Sequence, residues 1–275
     1  MTDKTEWQGS SGQTWSAQWR RTDRGFTHLT ERLLDRTREH DFRQVLDIGC
    51  GAGELSLAIA RNRPDVAVRG VDISPALIAA ARERGSRFGN LQFELADAAE
   101  WHADDENSPD LLVSRHGVMF FDDPPGAFAN LAHQAQPGAR LLFSCFRDIA
   151  QNPCFAEVIR LLPEAPPPMD PAGPGPFAFA DQDWVISILR AGGWESIDFE
   201  RFDFPMIAGT GDDPVGDAVT YFSLIGPAAR ASAEMDIAAR ERFLARVREL
   251  CERNCRSGIV SLSAAAWIVT AKRSA

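Results

Sequence analysis

Three glycines at alternate positions, Gly49, Gly51 and Gly53, follow the apolar run Val45-Leu46-Asp47-Ile48 and precede a helical pattern from about Glu54 to Arg61. Residues without a β-carbon let the backbone turn sharply and lie directly against a ligand. The free N–H groups of the following helix point at that ligand. A nucleotide-like cofactor is the natural occupant. The dinucleotide fingerprint wants a third glycine where this chain has Glu54, and an acid, Asp47, stands two residues ahead of the first glycine. Asp72 ends the next apolar stretch, where a carboxylate can accept hydrogen bonds from ribose hydroxyls. Asp97 closes a third, alternating stretch that starts at Leu91. Three acids in phase at the ends of successive strands converge on one edge of a parallel sheet, which is more specific than any one motif. His116, just past a fourth apolar run, is the acid/base candidate, since imidazole titrates near neutrality.

These residues carry a family resemblance. Asp47-Ile48-Gly49-Cys50-Gly51-Ala52-Gly53 resembles motif I of the class I S-adenosylmethionine (SAM) dependent methyltransferases, and Gly70-Val71-Asp72-Ile73-Ser74-Pro75 resembles their second motif. SAM has no pyrophosphate, so Glu54 has no phosphate to repel and faces the positive end of its helix. The resemblance implies an α/β fold, a Rossmann-like seven-stranded sheet, mostly parallel with its last strand antiparallel, with helices on both faces and a helical substrate cover. The activity it implies is methyl transfer from SAM to a small-molecule acceptor through an oxygen, nitrogen, sulfur or carbon atom, leaving S-adenosylhomocysteine (SAH). Asp47 would order the glycine loop, Gly49, Gly51 and Gly53 with Cys50 would approach the methionine part, Asp72 with Ile73 would bind ribose, and Asp97 with Ala98 the adenine. Ser114 and Arg115 end the fourth strand beside the methyl, where His116, Met119 and Phe120 would face the acceptor. The passage from Ser114 to Pro124 is also similar to a bacterial small-molecule methyltransferase subgroup, in which an aromatic residue is expected where His116 stands.

A chain of 275 residues, 44% hydrophobic, can bury one α/β domain with insertions. A net charge of −10 opposes a nucleic-acid footprint, which needs a basic face. No run of 18 apolar residues exists, and the start lacks a signal-peptide layout, so the expectation is a cytoplasmic protein without membrane or nucleic-acid partners. Five cysteines without paired motif spacing imply neither a disulfide framework nor a metal site. The sequence sets no oligomeric state, and a homodimer is compatible with it.

The elements follow from pattern. Residues 1–40 read as an N-terminal helical segment, with a helix from about Asp23 to His40 and Trp7, Trp15 and Trp19 ahead of it. Tryptophans at a chain end need something to cover. In similar enzymes such a segment is a lid, which would bring Trp15 and Arg20 to the cofactor and Trp19 to the substrate; a helix simply packed on the sheet is the other reading. Residues 41–275 form the main domain. Strands are expected at Val66–Val71, Leu91–Asp97, Asp110–Ser114 and Ala139–Phe146, with no room for a crossover helix between Trp101 and Pro109. Ser74-Pro75 starts one helix. Asp123-Pro124 starts another, so capping rather than a metal explains that acid. Insertions at about 150–180 and 205–260 supply the substrate cover. The first holds seven prolines between Pro163 and Pro176. The second, roughly 60 residues between strands Ser196–Phe204 and Ala264–Ala271, holds the sole tyrosine, Tyr221, as a substrate contact and a helix near Met235–Asn254 in which Cys251 packs. A protein methyltransferase, and a SAM-binding protein that transfers no methyl group, are the alternative functions.

Overall fold

The computed structural model describes residues 4–104, 107–164 and 173–274. Near-continuous apolar runs build its strands, because a parallel sheet with helices on both faces buries both sides of each strand. These are β1 (Gln44–Ile48), β2 (Ala67–Asp72), β3 (Leu91–Leu95), β4 (Leu111–Arg115) and β5 (Arg140–Phe146). Two long strands, β6 (Trp194–Gly209) and β8 (Ile259–Arg273), and the two-residue β7 (Cys255–Arg256) complete the sheet. Its order is β3-β2-β1-β4-β5-β8-β6, with β7 pairing β8 off that path. Pairings among β1 to β5 are parallel, and β8 runs antiparallel to both β5 and β6. The expected sheet is therefore present, with β7 added.

Helices α5 (Glu54–Asn62), α6 (Pro75–Gly85), α7 (Pro124–Gln134) and α9 (Gln182–Ala191) follow strands or loops in the alternating pattern. The Ser74 hydroxyl accepts from the Leu77 N–H and Asp123 accepts from the Gly126 N–H, so both expected caps are made. No helix lies between β3 and β4 among the described residues, as the short polar connection predicts. Helix α8 (Pro153–Ile159) precedes the proline-rich segment, most of which, residues 165–172, lies outside the described residues.

Two regions differ from the pattern reading. Four helices, α1 (Lys4–Gln8), α2 (Ser10–Ala17), α3 (Trp19–Gly25) and α4 (Thr27–Thr37), replace the single helix expected from about Asp23. Leu29 and Leu33 of α4 are fully buried, whereas α1 has no buried residue. The early helices are thus fixed by their aromatic contacts, which periodicity does not show. Strands β6 and β8 also outrun the expected segments at both ends. Beyond the end of β5, where Phe146 opposes Ala266, they pair with each other from Asp203↔Ala265 to Gly209↔Val260, and Val260 also pairs with Cys255 of β7. Helices α10 (Pro214–Leu224), α11 (Pro227–Ala233) and α12 (Ile237–Arg253) hang from this extension, with Phe243, Val247, Leu250 and Cys251 of α12 buried. No described helix is long and apolar enough to cross a membrane.

Candidate active site

The C-terminal ends of β1 to β4 open into a cavity of about 1780 Å³, more than a single small ligand requires. Asp47, at the end of β1, is 1% exposed and accepts a hydrogen bond from the Ser56 hydroxyl of α5 at 2.5 Å. Its other oxygen, Oδ1, is buried without a hydrogen-bond partner. Burial pushes its pKa up to about 7, against the bond from Ser56. Asp72, ending β2, accepts from the Gly51 N–H and the Ser74 N–H, both at 2.9 Å. It therefore pins the glycine loop to the second strand, and burial raises its pKa. Gly51 has φ +57°, and a β-carbon there would meet nothing within 4 Å, so it would project into open space. That free volume lies in the same cavity that Asp47 lines, and it leaves room for a ligand against the backbone.

Asp97 lies past β3. It accepts from the Ala99 N–H at 2.9 Å and pairs with the Lys4 ammonium at 2.6 Å. Lys4 also lies 3.5 Å from Asp122, so α1 closes over Asp97. Trp7 sits edge-on to Trp15 at 5.5 Å and to Phe120 at 5.2 Å, with its indole N–H buried and unpartnered. Helix α2 packs so closely on the start of α6 that a β-carbon on Gly12 would stand 2.1 Å from the Ser74 hydroxyl. Asp23 of α3 joins two guanidinium groups, Arg84 at 2.9 Å and Arg115 at 3.2 Å, and Arg84 also reaches Glu54 at 2.6 Å. Burial raises the Asp23 pKa despite both arginines. Behind this, Arg21 and Arg24 each reach Asp217 of α10 at 2.7 Å.

His116 occupies the turn leaving β4 with φ +63°, a left-handed conformation that is uncommon outside glycine. Its ring stacks on Phe146 at 4.0 Å, Nδ1 lies 3.4 Å from the Ser144 hydroxyl, and Nε2 is buried without a hydrogen-bond partner. Burial, with the Arg115 charge adding to it, pushes the imidazole pKa down to about 3.

Residues 45–138 match the family model described as "Methyltransferase domain". Over that stretch the chain is similar to a methyltransferase domain. Malonyl-[acyl-carrier protein] O-methyltransferase of Brevibacillus brevis is 33% identical over 121 residues, covering 43% of this chain and 44% of that protein. Trans-aconitate 2-methyltransferase of Methylobacterium radiotolerans is 35% identical over 115 residues, covering 42% of each. The chain thus spans less than half the length of these two relatives. Among solved structures, Haemonchus contortus phosphoethanolamine N-methyltransferase 2 in complex with SAM superposes with TM-score 0.57 at 15% identity, covering 98% of this chain and 58% of that one. The [4+2]-cyclase SpnF superposes with TM-score 0.53 at 19% identity, covering 90% of this chain and 81% of that one. These two likenesses show the fold.

The methyltransferase domain brings most of the expected residues to its cavity: Asp47, Gly49, Cys50, Gly51, Asp72, Ile73, Asp97, Ala98, His116, Met119 and Phe120, with Trp15 and Tyr221 from outside the matched region. Four residues do not line it. Gly53 turns toward the Phe93 ring, 2.6 Å from where its β-carbon would stand. Ser114 is buried and spends its hydroxyl on the Ile48 carbonyl and the Gly117 N–H. The Arg20 and Arg84 guanidinium groups both lie over the Trp19 ring, at 4.2 and 3.8 Å, so Trp19 and Arg20 cover the domain from outside the cavity. Arg115 does line the cavity, but its guanidinium is held by Asp23 and the Thr30 hydroxyl instead of facing an acceptor. Asp47 bonds to the helix after the glycine loop, and Asp72 does the ordering of the loop expected of Asp47.

Lys4, Asp23 and the aromatic wall of Phe26, Phe146, Phe155 and Phe177 were not legible as site residues. A lone acid among Arg20, Arg21 and Arg24 was the one available signal for Asp23.

Proposed function

We propose that this chain transfers a methyl group from SAM to a small-molecule acceptor by in-line displacement. The observation that carries the reading is the convergence of Asp47, Asp72 and Asp97 from three successive strand ends on one cavity that also has room for a second ligand. When bound, SAM supplies an electrophilic methyl on a sulfonium carrier. The orphaned Asp47 oxygen suits the positive end of the methionine part, and Gly51 leaves that part space. Asp72 keeps lone pairs for the ribose hydroxyls while it pins the loop, and Asp97 with Ala98 meets the adenine edge. Trp7, Trp15 and Lys4 close the near side as a lid and exclude water. The remaining aromatic wall positions the acceptor, so alignment supplies much of the rate. Burial pushes the His116 pKa down to about 3, which disfavours a general-base role for it.

Relatives named for malonyl-[acyl-carrier protein] and trans-aconitate favour small acceptor groups, and a protein acceptor finds no support in them. A second reading, SAM binding without methyl transfer, is favoured by one observation: a chain of the same fold is named as a [4+2]-cyclase. Incubation with methyl-labelled SAM and a cell extract, split into small-molecule and macromolecular fractions, separates the readings. Label in a metabolite is expected. Cofactor binding with no label in either fraction supports the second reading.

A further inference from the structure

On the far side of His116 from the glycine loop, the cavity wall changes character. Phe146 stacks on the imidazole and touches Phe155 edge-on at 5.1 Å, and Phe177 lies 5.8 and 5.9 Å from these two rings. Phe26 closes the edge of the imidazole at 5.5 Å. Tyr221 adds a ring and no accessible hydroxyl, because that group is buried against the Met206 sulfur at 3.8 Å. Of the cations that line the cavity, Arg115 is matched by Asp23, Lys4 by Asp97 and Arg230 by Glu6, whereas Arg240 makes no ion pair among the described residues. Among the described residues around these rings, His116 Nε2 is buried without a hydrogen-bond partner. The residue holds a left-handed backbone to put it there. A buried polar atom with no partner is costly unless a ligand satisfies it.

Building on the methyl-transfer reading, we infer that the acceptor is an uncharged, ring-bearing small molecule that packs among Phe146, Phe155, Phe177 and Tyr221 and makes one hydroxyl hydrogen bond to His116 Nε2. A hydroxyl both donates and accepts, so it suits either imidazole tautomer. His116 is then a specificity-determining anchor. A carboxylate-bearing acceptor is disfavoured, since its charge would be buried against these rings. The neutral state that burial imposes on the imidazole agrees with this.

The test uses ring probes of one size, 2-naphthol, naphthalene and 2-naphthoate, titrated into the full chain with and without saturating SAH and followed by tryptophan fluorescence. The wild type binds 2-naphthol about 3- to 10-fold tighter than naphthalene, the worth of one net hydrogen bond, and binds 2-naphthoate more weakly than 2-naphthol. His116→Phe keeps a ring to stack on Phe146 and brings the naphthol-to-naphthalene ratio to about 1. A ratio of two affinities is insensitive to the fraction of protein folded. His116→Asn, which tolerates the left-handed backbone, retains part of the preference. Equal binding of naphthol and naphthalene by the wild type, preference for naphthoate, no binding of any probe, or an unchanged ratio in His116→Phe overturns the inference. SAH affinity measured alone reports on the cofactor reading. Its loss leaves the chamber result standing, and the chamber can fail while SAH still binds.

Discussion

Asp72→Asn separates two duties of one carboxylate. In the structure its oxygens accept from the Gly51 and Ser74 N–H groups, both at 2.9 Å. The amide keeps one acceptor, which can serve Ser74, and turns a donor toward the Gly51 N–H. One charge-assisted bond is lost and a donor faces a donor. Such a bond contributes about 1.5–3 kcal/mol, and for a chain of this size that lowers Tm by about 3–10 °C. The second duty is the proposed ribose contact, made from a loop that is now less ordered. Its loss is about 1–3 kcal/mol, or about 5- to 150-fold in Kd for SAH. Differential scanning calorimetry of the ligand-free protein measures the first effect, and isothermal titration with SAH the second. An unchanged Tm refutes the pinning of the glycine loop. A Tm that falls while SAH affinity stays within twofold refutes the ribose contact and leaves the pin in place.

Gly51→Ala meets no neighbour but must hold φ +57°, a cost of about 1–2 kcal/mol; its new methyl enters the proposed methionine site, so SAH affinity should fall more than tenfold while Tm drops only a few degrees. Asp47 gives a pH prediction with a fixed sign. Its folded pKa of about 7 lies above the unfolded value of 3.8, so its contribution to stability is fully present below the unfolded value and is lost as pH rises through about 7. Asp47→Asn, neutral at every pH, should therefore melt higher than the wild type at pH 8. A cationic ligand favours the ionised form, so SAM affinity of the wild type should tighten from pH 6 to 8 with proton release, and titrations in two buffers of different ionisation enthalpy should show that release vanish in Asp47→Asn. Trp7→Ala removes ring contacts with Trp15 and Phe120 worth about 0.5–1.5 kcal/mol each. Stopped-flow should show faster SAH release from that variant; an unaltered off-rate would dismiss the lid.

The cofactor half of this chain was legible because each of its signals is local. The glycines, Asp72 and Asp97 occupy strand ends, and where a parallel strand ends is readable from apolar runs and caps such as Ser74 and Asp123. The misplacements came where a residue's partner is remote in sequence. Gly53 serves Phe93, 40 positions on, and Arg115 serves Asp23, 92 positions back. Lys4 finds Asp97 because α1 docks there, and nothing near Lys4 in the chain predicts that contact. The chamber wall was the least legible part. Phe26, Phe146, Phe155 and Phe177 come from four separate segments, and each alone reads as ordinary core.

Strands β6 and β8 continue past β5 as a two-stranded ribbon, joined at its tip by β7. The helices joined to its far end therefore rest on hydrogen bonds that belong to neither the glycine loop nor the acids around it. Under the proposed methyl transfer, this division would let the ribbon's cargo vary while the strand ends that hold the donor stay the same. For the engineer the same division marks a graft point: a foreign segment spliced between Gly209 and Val260 meets an already paired backbone at both of its ends.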